Sequence, residues 1–225
     1  QQNTEYSPTM SFKHKICKRA AREIQDGQVI NLGIGIPTLI PGFLAPEITV
    51  FIHSENGILG MGRPCTLEEA DRNLIDAGGT YVHTQAGAAF FDSALSFALV
   101  RCGRLDLAVL GALEVSEDGD VANWIIPGKH TPGIGGGMEL AQKARRLMIT
   151  TTHTTRDGSH KIKPTCTLPV TAKSCVDTII TELAVIDVTS QGLKLREMAS
   201  EVNLEDLQAK TGARLIPPEG PIPRF

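Results

Sequence analysis

The sequence has few aromatic residues and little net charge. Phenylalanine, tryptophan and tyrosine make up 4% of the 225 residues, whereas glycine occurs 22 times. The net charge of −3, from 22 basic and 25 acidic residues, is too small to favour nucleic acid or an acidic membrane as a partner. Frequent glycine with few aromatics indicates that backbone often approaches backbone or a ligand closely.

Long apolar runs and paired cysteine motifs are also missing. No run approaches the roughly 18 apolar residues of a membrane-spanning helix, and no signal peptide is visible. The cysteines are five in number and contain no Cys-x-x-Cys motif, so free thiols are expected instead of a disulfide framework or a zinc site. No metal-ligand spacing such as His-Glu-x-x-His occurs, and no metal is expected. We expect a cytoplasmic protein, or one of the mitochondrial matrix if the source is eukaryotic.

Apolar strands and helical segments alternate along most of the chain. Because 41% of the residues are apolar, a sizeable core is possible. The alternation predicts an α/β fold: one open, mainly parallel sheet with helices on both faces. We expect a disordered leader at 1–10, one domain at 11–216 and a loose tail at 217–225. Strands are predicted at 29–34, 48–53, 81–85, 105–110, 121–126, 147–151 and 183–188, and helices at 12–27, 37–44, 66–79, 92–103, 138–144, 172–180 and 203–212.

The most informative stretch is residues 48–62. Residues 48–53 are apolar and rich in β-branched side chains, which is typical of a buried strand. The sequence Ser-Glu-Asn-Gly follows at 54–57, and Asn-Gly marks a tight turn. Glu55 therefore lies at the carboxyl end of a core strand, where open α/β sheets bind ligands. Taken alone, a turn carboxylate facing water is the simpler interpretation.

Two further stretches supply polar donors at strand ends or helix starts. Residues 31–35 contain Asn31 and two glycines, and residues 133–137 contain four glycines. Their backbone N–H groups, the Asn31 donor and the Glu55 carboxylate would together form a nucleophile with an oxyanion hole. Residues 33–38 lack the third glycine of a dinucleotide site, no P-loop lysine follows the glycines, and no Gly-x-Ser-x-Gly occurs. His53 is expected to be a packed or hydrogen-bonded histidine and not a general base.

Five motifs in a fixed order carry a family resemblance over about residues 11–215. They are Asn-Leu-Gly-Ile-Gly-Ile-Pro at 31–37, Ser-Glu-Asn-Gly-Ile-Leu-Gly-Met-Gly at 54–62, Asp-Val-Ala-Asn-Trp at 120–124, Pro-Gly-Lys at 127–129 and Gly-Ile-Gly-Gly-Gly-Met-Glu-Leu at 133–140. Together they resemble the β subunit of family I CoA-transferases, in particular the 3-oxoacid type that includes succinyl-CoA:acetoacetate transferase. One departure is Gly-Gly-Gly-Met-Glu-Leu where the family would have Gly-Gly-Ala-Met-Asp-Leu.

The resemblance implies roles for individual residues. Glu55 would be the catalytic glutamate that becomes a glutamyl-CoA thioester, with Asn31 and Gly136 beside the oxyanion. Whether Asn31 would act through its side chain or its backbone N–H stays open. The residues expected to contact CoA are Gly133, Gly135, Gly137 and Lys129. CoA and acyl-CoA would be substrates and the source of the covalent intermediate, and no permanently bound cofactor is expected.

The implied partners are an α subunit of similar fold, in an α2β2 heteromer or a fused chain, together with acyl-CoA and short carboxylic acids. Transfer between succinyl-CoA and acetoacetate is the favoured reaction. An acetate/butyrate or 3-oxoadipate type is the alternative within the family. Two other classes are a sugar-phosphate isomerase, which would need a basic phosphate clamp, and a non-catalytic CoA-binding partner subunit.

Overall fold

The computed structural model describes residues 11–129 and 133–225, and the predicted leader at 1–10 lies outside the described residues. Its helices are α1 (Phe12–Ala21), α2 (Ser93–Arg101), α3 (Gly137–Lys143) and α4 (Leu204–Ala209), with a 3-10 helix at Pro37–Phe43. Its strands are β1 (Val29–Leu32), β2 (Phe51–Ser54), β3 (Ile58–Pro64), β4 (Val82–Phe90), β5 (Leu107–Leu110), β6 (Glu114–Ser116), β7 (Val121–Ala122), β8 (Leu147–Thr150), β9 (Ile162–Lys163), β10 (Thr178–Ile180), β11 (Ala184–Thr189), β12 (Gly192–Met198) and β13 (Leu215–Ile216). No helix among these residues is long and apolar enough to cross a membrane.

Ten strands form one mixed sheet in the order β13-β12-β11-β10-β8-β5-β1-β2-β3-β4. The five central strands, β10-β8-β5-β1-β2, are parallel to one another. The hairpins β2-β3-β4 and β10-β11-β12 add antiparallel strands on the two sides. The carboxyl ends of the central strands therefore meet along one edge of the sheet.

Both faces of this sheet are covered. Along β5, Leu107 and Val109 pack into a cluster with α1 and the 3-10 helix, whereas Ala108 and Leu110 pack into a cluster with α2, α3 and α4. Successive side chains of a strand point to opposite faces, so these two clusters are the two halves of the core. A small sheet, β7-β6-β9, lies in the second cluster. The predicted α/β sheet with helices on both faces is confirmed.

Three helix predictions need correction. Residues 66–79 form turns instead of a helix: Thr66 N–H does reach Glu69 Oε2 at 3.3 Å, but Arg63 also holds that carboxylate. Residues 172–180 contribute β10, because its β-branched residues pair with β8 and β11. Helix α1 ends at Ala21 and not at Gly27, which lies in the turn before β1 with φ +77°.

Two other differences concern strands and the tail. No strand was predicted at β3, because glycines taken by themselves favour a loop. Gly60 instead allows close pairing, since an added Cβ would lie 3.2 Å from the Ala88 Cα. At the end of the chain, Met198 N–H donates to Pro223 O at 2.9 Å, and Arg224 Nη1 donates to Val202 O at 2.6 Å. Residues 223–225 are thus attached to β12 rather than loose.

Candidate active site

A cavity of about 590 Å³ opens at the carboxyl ends of β1, β2 and β5. Its walls come from the ends of those strands, from residues 76–78, and from the glycine-rich stretch 133–137 that leads into α3. Asn31, Glu55 and Gly136 all line it, so the structure brings together the three stretches that the sequence analysis selected. Gly133, Gly135 and Gly137 line it as well.

Asn31 and Glu55 are in direct contact. Strands β1 and β2 pair in parallel with Asn31 opposite His53, which places Asn31 two residues before Glu55 in register. Asn31 Nδ2 donates to Glu55 Oε2 at 3.1 Å and to His53 O at 3.1 Å. Asn31 is buried with 2% exposure, whereas Glu55 is half-buried at the cavity wall. In this geometry it is therefore the side chain of Asn31 that faces the carboxylate.

The turn after Glu55 is fixed by Gly57. Its φ is +120°, and an added Cβ would lie 1.9 Å from Phe91 O. Gly57 N–H donates to Ser54 O at 2.9 Å, and Gly57 O accepts from Phe91 N–H at 3.0 Å. No side chain fits at this position, so the backbone itself sets the direction in which Glu55 leaves the strand.

The segment beside the turn is tied to it by side chains. Ala77 N–H donates to Ser54 Oγ at 2.9 Å, and Asn56 Nδ2 donates to Ile75 O at 2.7 Å. Residues 75–77 are thus held against both flanks of Glu55. Ser54 and Asn56 thus bind the neighbouring segment, whereas the Glu55 side chain borders the cavity.

Gly136 brings bare backbone close to Glu55. A Cβ built on Gly136 would lie 3.4 Å from Glu55 Cγ and 3.0 Å from Phe97 Cζ. The neighbouring Gly137 N–H already donates to Ile134 O at 3.0 Å within the same turn. Gly136 is accordingly the glycine whose backbone lies close to the Glu55 side chain. Lys129 is exposed and is not among the described residues that line the cavity.

His53 and Ser96 were not selected as site residues from the sequence, and they lie directly behind the Asn31–Glu55 pair. His53 is 3% exposed, and its Nε2 lies 2.8 Å from Oγ of the fully buried Ser96. Burial lowers the pKa of His53, and the nearby Glu55 carboxylate opposes that shift. His53 is a buried hydrogen-bonded histidine, as predicted. Ser96 lies inside α2, and the sequence gives no signal for its contact.

Asn123 is another polar residue on the cavity wall. Its Nδ2 donates to Gly111 O at 3.1 Å, and its Oδ1 accepts from Thr171 Oγ1 at 2.7 Å. Both ends of its amide are thus used to hold strand ends together. Asn123 belongs to the motif at 120–124, but that motif assigned no role to it.

A second, larger groove of about 1,090 Å³ lies at the opposite edge of the sheet. It is lined by the β6-β7 and β11-β12 turns and by residues 173–177, and it contains none of the predicted site residues. Within the described residues, no group of three or more His, Cys, Asp or Glu side chains is arranged to hold a metal ion. The cavity at Glu55 remains the candidate site because it combines a carboxylate with a buried amide donor and bare backbone.

The chain is similar to known proteins in family, sequence and structure. Residues 13–210 match the family described as Coenzyme A transferase. The chain is 48% identical over 200 residues to the human mitochondrial succinyl-CoA:3-ketoacid coenzyme A transferase 2, covering 88% of this chain but only 39% of that protein. It is 44% identical over 205 residues to the acetate CoA-transferase subunit beta of Escherichia coli K12, covering 91% and 94% of the two chains.

Among solved structures, the crystal structure of an acyl-CoA transferase apoenzyme from Escherichia coli O157:H7 superposes with a TM-score of 0.75 at 23% identity. It covers 97% of this chain and 44% of that one, which supports the fold alone. The chain thus spans about two fifths of these two longer proteins, but nearly the full length of the bacterial β subunit. On the family match and these sequence identities, the chain belongs to the coenzyme A transferase family, and it corresponds to the β subunit.

Proposed function

We propose that this chain is the catalytic β subunit of a 3-oxoacid CoA-transferase that works through a glutamyl-CoA thioester on Glu55. The observation that carries the proposal is the 3.1 Å contact between Asn31 Nδ2 and Glu55 Oε2 at the wall of the cavity. It places a candidate nucleophile beside a buried donor. A carboxylate is ionised at neutral pH and needs no general base to attack.

In the first half-reaction, a Glu55 carboxylate oxygen attacks the thioester carbonyl of the acyl-CoA. The tetrahedral intermediate carries an oxyanion and collapses with loss of CoA thiolate, which leaves a mixed anhydride between the acyl group and Glu55. The thiolate then attacks the glutamyl carbonyl of that anhydride. The donor acid leaves as a carboxylate, and Glu55 holds CoA as a thioester.

In the second half-reaction, the acceptor carboxylate attacks the glutamyl thioester and expels the thiolate. The thiolate attacks the acceptor's acyl carbonyl in the new anhydride, so the acceptor leaves as acyl-CoA and Glu55 is regenerated. Each step exchanges one acyl bond for another, and the thioester bond energy is conserved without ATP. Binding of the remote part of CoA supplies energy for the anhydride steps.

The donors around Glu55 would stabilise the successive oxyanions. Asn31 has a side-chain N–H within reach of the carboxylate, and Gly136 brings the backbone close to Glu55 without a side chain in the way. The loss of one such donor typically slows turnover by about 10²–10³-fold. We assign Asn31 and Gly136 to this role and Gly133, Gly135 and Gly137 to contact with CoA.

The relatives differ in the substrates that their names give. The human relative is named for succinyl-CoA and a 3-ketoacid, and the Escherichia coli relative for acetate. We propose a 3-oxoacid such as acetoacetate as acceptor and succinyl-CoA as donor, with acetate transfer as the second candidate. Rates with acetoacetate and with acetate, measured on one preparation with succinyl-CoA as donor, decide between them.

Assembly with an α subunit is also proposed, because the Escherichia coli relative is named as a β subunit. We expect the chain alone to be nearly inactive and to regain turnover with its α partner, in an α2β2 heteromer or a fused chain. The relatives are bacterial and mitochondrial, which is consistent with a cytoplasmic or mitochondrial-matrix protein. Turnover of the purified single chain at the rate of the assembled enzyme would contradict the need for a partner.

The decisive experiment looks for the covalent intermediate. The assembled enzyme, incubated with succinyl-CoA and no acceptor, should gain the mass of one CoA less one water per active site, on the peptide that contains Glu55. Borohydride should then reduce the thioester and inactivate the enzyme, whereas free CoA should give no adduct. Glu55→Gln is the matched control and should form none. An enzyme that exchanges CoA at a measurable rate but never gains the adduct would contradict the mechanism.

A further inference from the structure

His53 contacts the Asn31–Glu55 pair from behind, through a chain of buried polar atoms. Its Nε2 lies 2.8 Å from Ser96 Oγ, and its Nδ1 lies 3.4 Å from Asn31 Nδ2. Its ring also stacks on Phe91, with centroids 6.4 Å apart and 19° between the planes. The imidazole is therefore fixed in place by a strand, a helix and an aromatic ring.

The hydrogen bonds of Asn31 determine the orientation of its amide. The amide nitrogen faces Glu55 Oε2 and His53 O, both of which accept only. If the amide were turned over, its oxygen would face these two acceptors without a proton between them. The orientation with Nδ2 toward Glu55 is the one that satisfies all three groups.

The same geometry selects one tautomer of His53. Its Nδ1 lies 3.4 Å from Asn31 Nδ2, whose two hydrogens point to Glu55 Oε2 and His53 O, so Nδ1 can only share one of them. A proton on Nδ1 would instead set two donors against each other. Nδ1 therefore carries the lone pair, and Nε2 carries the proton that is donated to Ser96 Oγ. Burial lowers the pKa of His53, which keeps the ring neutral and agrees with this assignment.

We propose that His53 is a positioning residue for the oxyanion donor: it is held as the Nε2–H tautomer by Ser96, and its bare Nδ1 keeps the N–H of Asn31 turned toward Glu55. The proposal rests on the function proposed above, because it assigns His53 to the support of that same site. His53 borders the cavity but is only 3% exposed, so contact with substrate is not part of this role. Its effect should pass entirely through the Asn31 amide.

Two substitutions separate this role from simple packing. In His53→Asn, Oδ1 lies at the same number of bonds from the backbone as Nδ1 of histidine and supplies an acceptor to Asn31. In His53→Gln, the terminal amide reaches the place of Nε2 near Ser96 but leaves no acceptor at the place of Nδ1. Both variants lose the ring and its stacking on Phe91, so they form a matched pair.

The readout is the single-turnover rate of adduct formation from succinyl-CoA in the assembled enzyme. We expect His53→Gln to be slower by roughly 10- to 100-fold, since a misplaced catalytic group has an effect of that size. His53→Asn should recover most of that rate, and the succinyl-CoA concentration for half-maximal rate should stay unchanged in both. In an Asn31→Ala background the two variants should react equally slowly. Equal rates of the pair with Asn31 intact, or a persistent difference without Asn31, would overturn the proposal.

Nitrogen NMR of the enzyme labelled with ¹⁵N-histidine provides a test that does not depend on catalysis. The resonances of His53, identified as those that remain when the other five histidines are replaced one at a time, should show a protonated Nε2 and a bare Nδ1. A protonated Nδ1 would overturn the proposal even if both variants fail to fold. If Glu55 forms no adduct at all, the proposed function fails, whereas the tautomer and its dependence on Ser96, tested with Ser96→Ala, can still be observed.

Discussion

Two histidines are buried among the described residues, His53 and His153, and they have similar surroundings but different neighbours beyond them. His153 is fully buried, with Nδ1 2.9 Å from Thr181 Oγ1 and Nε2 2.8 Å from Thr211 Oγ1. Burial, with smaller contributions from Lys210 and His160, lowers its pKa to about 4. Burial also lowers the pKa of His53, which faces a hydroxyl on one side. On its other side, however, it faces the amide that contacts Glu55.

This contrast shows what separates a structural histidine from one in a functional site. Both rings fill space in the core, and both use their two nitrogens. For His153 the partners lead back into the scaffold, since Thr211 Oγ1 donates to Leu207 O of α4. For His53 they lead to a half-exposed carboxylate at a cavity. We therefore expect changes around His153 to alter stability and changes around His53 to alter turnover.

The largest effect is expected at Glu55. Glu55→Gln should leave a folded protein with turnover reduced by at least about 10⁴-fold, because it removes the nucleophile. Glu55→Asp should lose about 10²-fold, because the shorter side chain withdraws the carboxylate. Glu182→Gln is the control in the other region: its Oε1 can still accept from His153 N–H, and turnover should stay within about twofold. Near-normal transfer rates in both Glu55 variants would break the comparison.

The next effect is expected at Asn31. Asn31→Ala should reduce the rate of adduct formation by about 10²–10³-fold, because it removes one donor to the oxyanion. Thr211→Val near His153 should instead lower the free energy of unfolding by about 1–3 kcal/mol, because it leaves a buried imidazole N–H without its acceptor. Urea unfolding and single-turnover kinetics on both variants give the two readouts. If Asn31→Ala changes only stability, the donor is the backbone and not the side chain.

The free energy of unfolding, measured as a function of pH, should show the contribution of His153. Its pKa lies near 4 in the folded chain and near 6.5 when unfolded, so only the unfolded chain binds a proton between these values. His153 therefore contributes about 3 kcal/mol to the free energy of unfolding above about pH 6.5. This contribution is lost as the pH falls toward 4. Urea unfolding at steps of pH, with His153→Gln as control, should show a shallower slope in the variant. The same slope in both proteins would assign the loss to other groups.

The smallest effect is expected at Lys129, which marks the outer limit of the site. Its side chain is exposed and does not line the described cavity, so Lys129→Ala should raise the half-maximal acyl-CoA concentration by less than about fivefold. Lys143→Ala, in the last turn of α3, serves as a matched surface control. A hundredfold increase for Lys129→Ala alone would place this side chain on CoA and extend the site.

The parts of the fold that were predictable are those with local chemical signals. Asp92 and Asn203 begin the helices predicted at 92–103 and 203–212, and as helix caps their side chains accept from Leu95 N–H and Asp206 N–H, both at 2.8 Å. The apolar run before residue 110 was predicted as a parallel strand, and it pairs with β1 and β8. By contrast, β10 depends on partners 30 residues away or across a hairpin, which a local pattern does not record.

The candidate site divides in the same way. Asn31 and Glu55 both follow from strand ends that neighbour each other in a parallel sheet, and their contact is a consequence of register. Gly136, within the glycine-rich stretch, was singled out only by the family resemblance. Ser96 could not have been selected, because its contact with His53 arises from how α2 packs on the sheet. Sequence motifs thus identified residues that line the cavity but not the buried Ser96 behind them.

The tight turn at Gly57 has an evolutionary consequence. Every single-nucleotide change of a glycine codon that yields another amino acid adds a Cβ, and at this position that atom would meet Phe91 O at 1.9 Å. No small mutational step is therefore open here, whatever substrate selection favours. Variation of this cavity wall is therefore expected at positions that carry side chains, such as Ile34 and Ile134, and not at the turn itself.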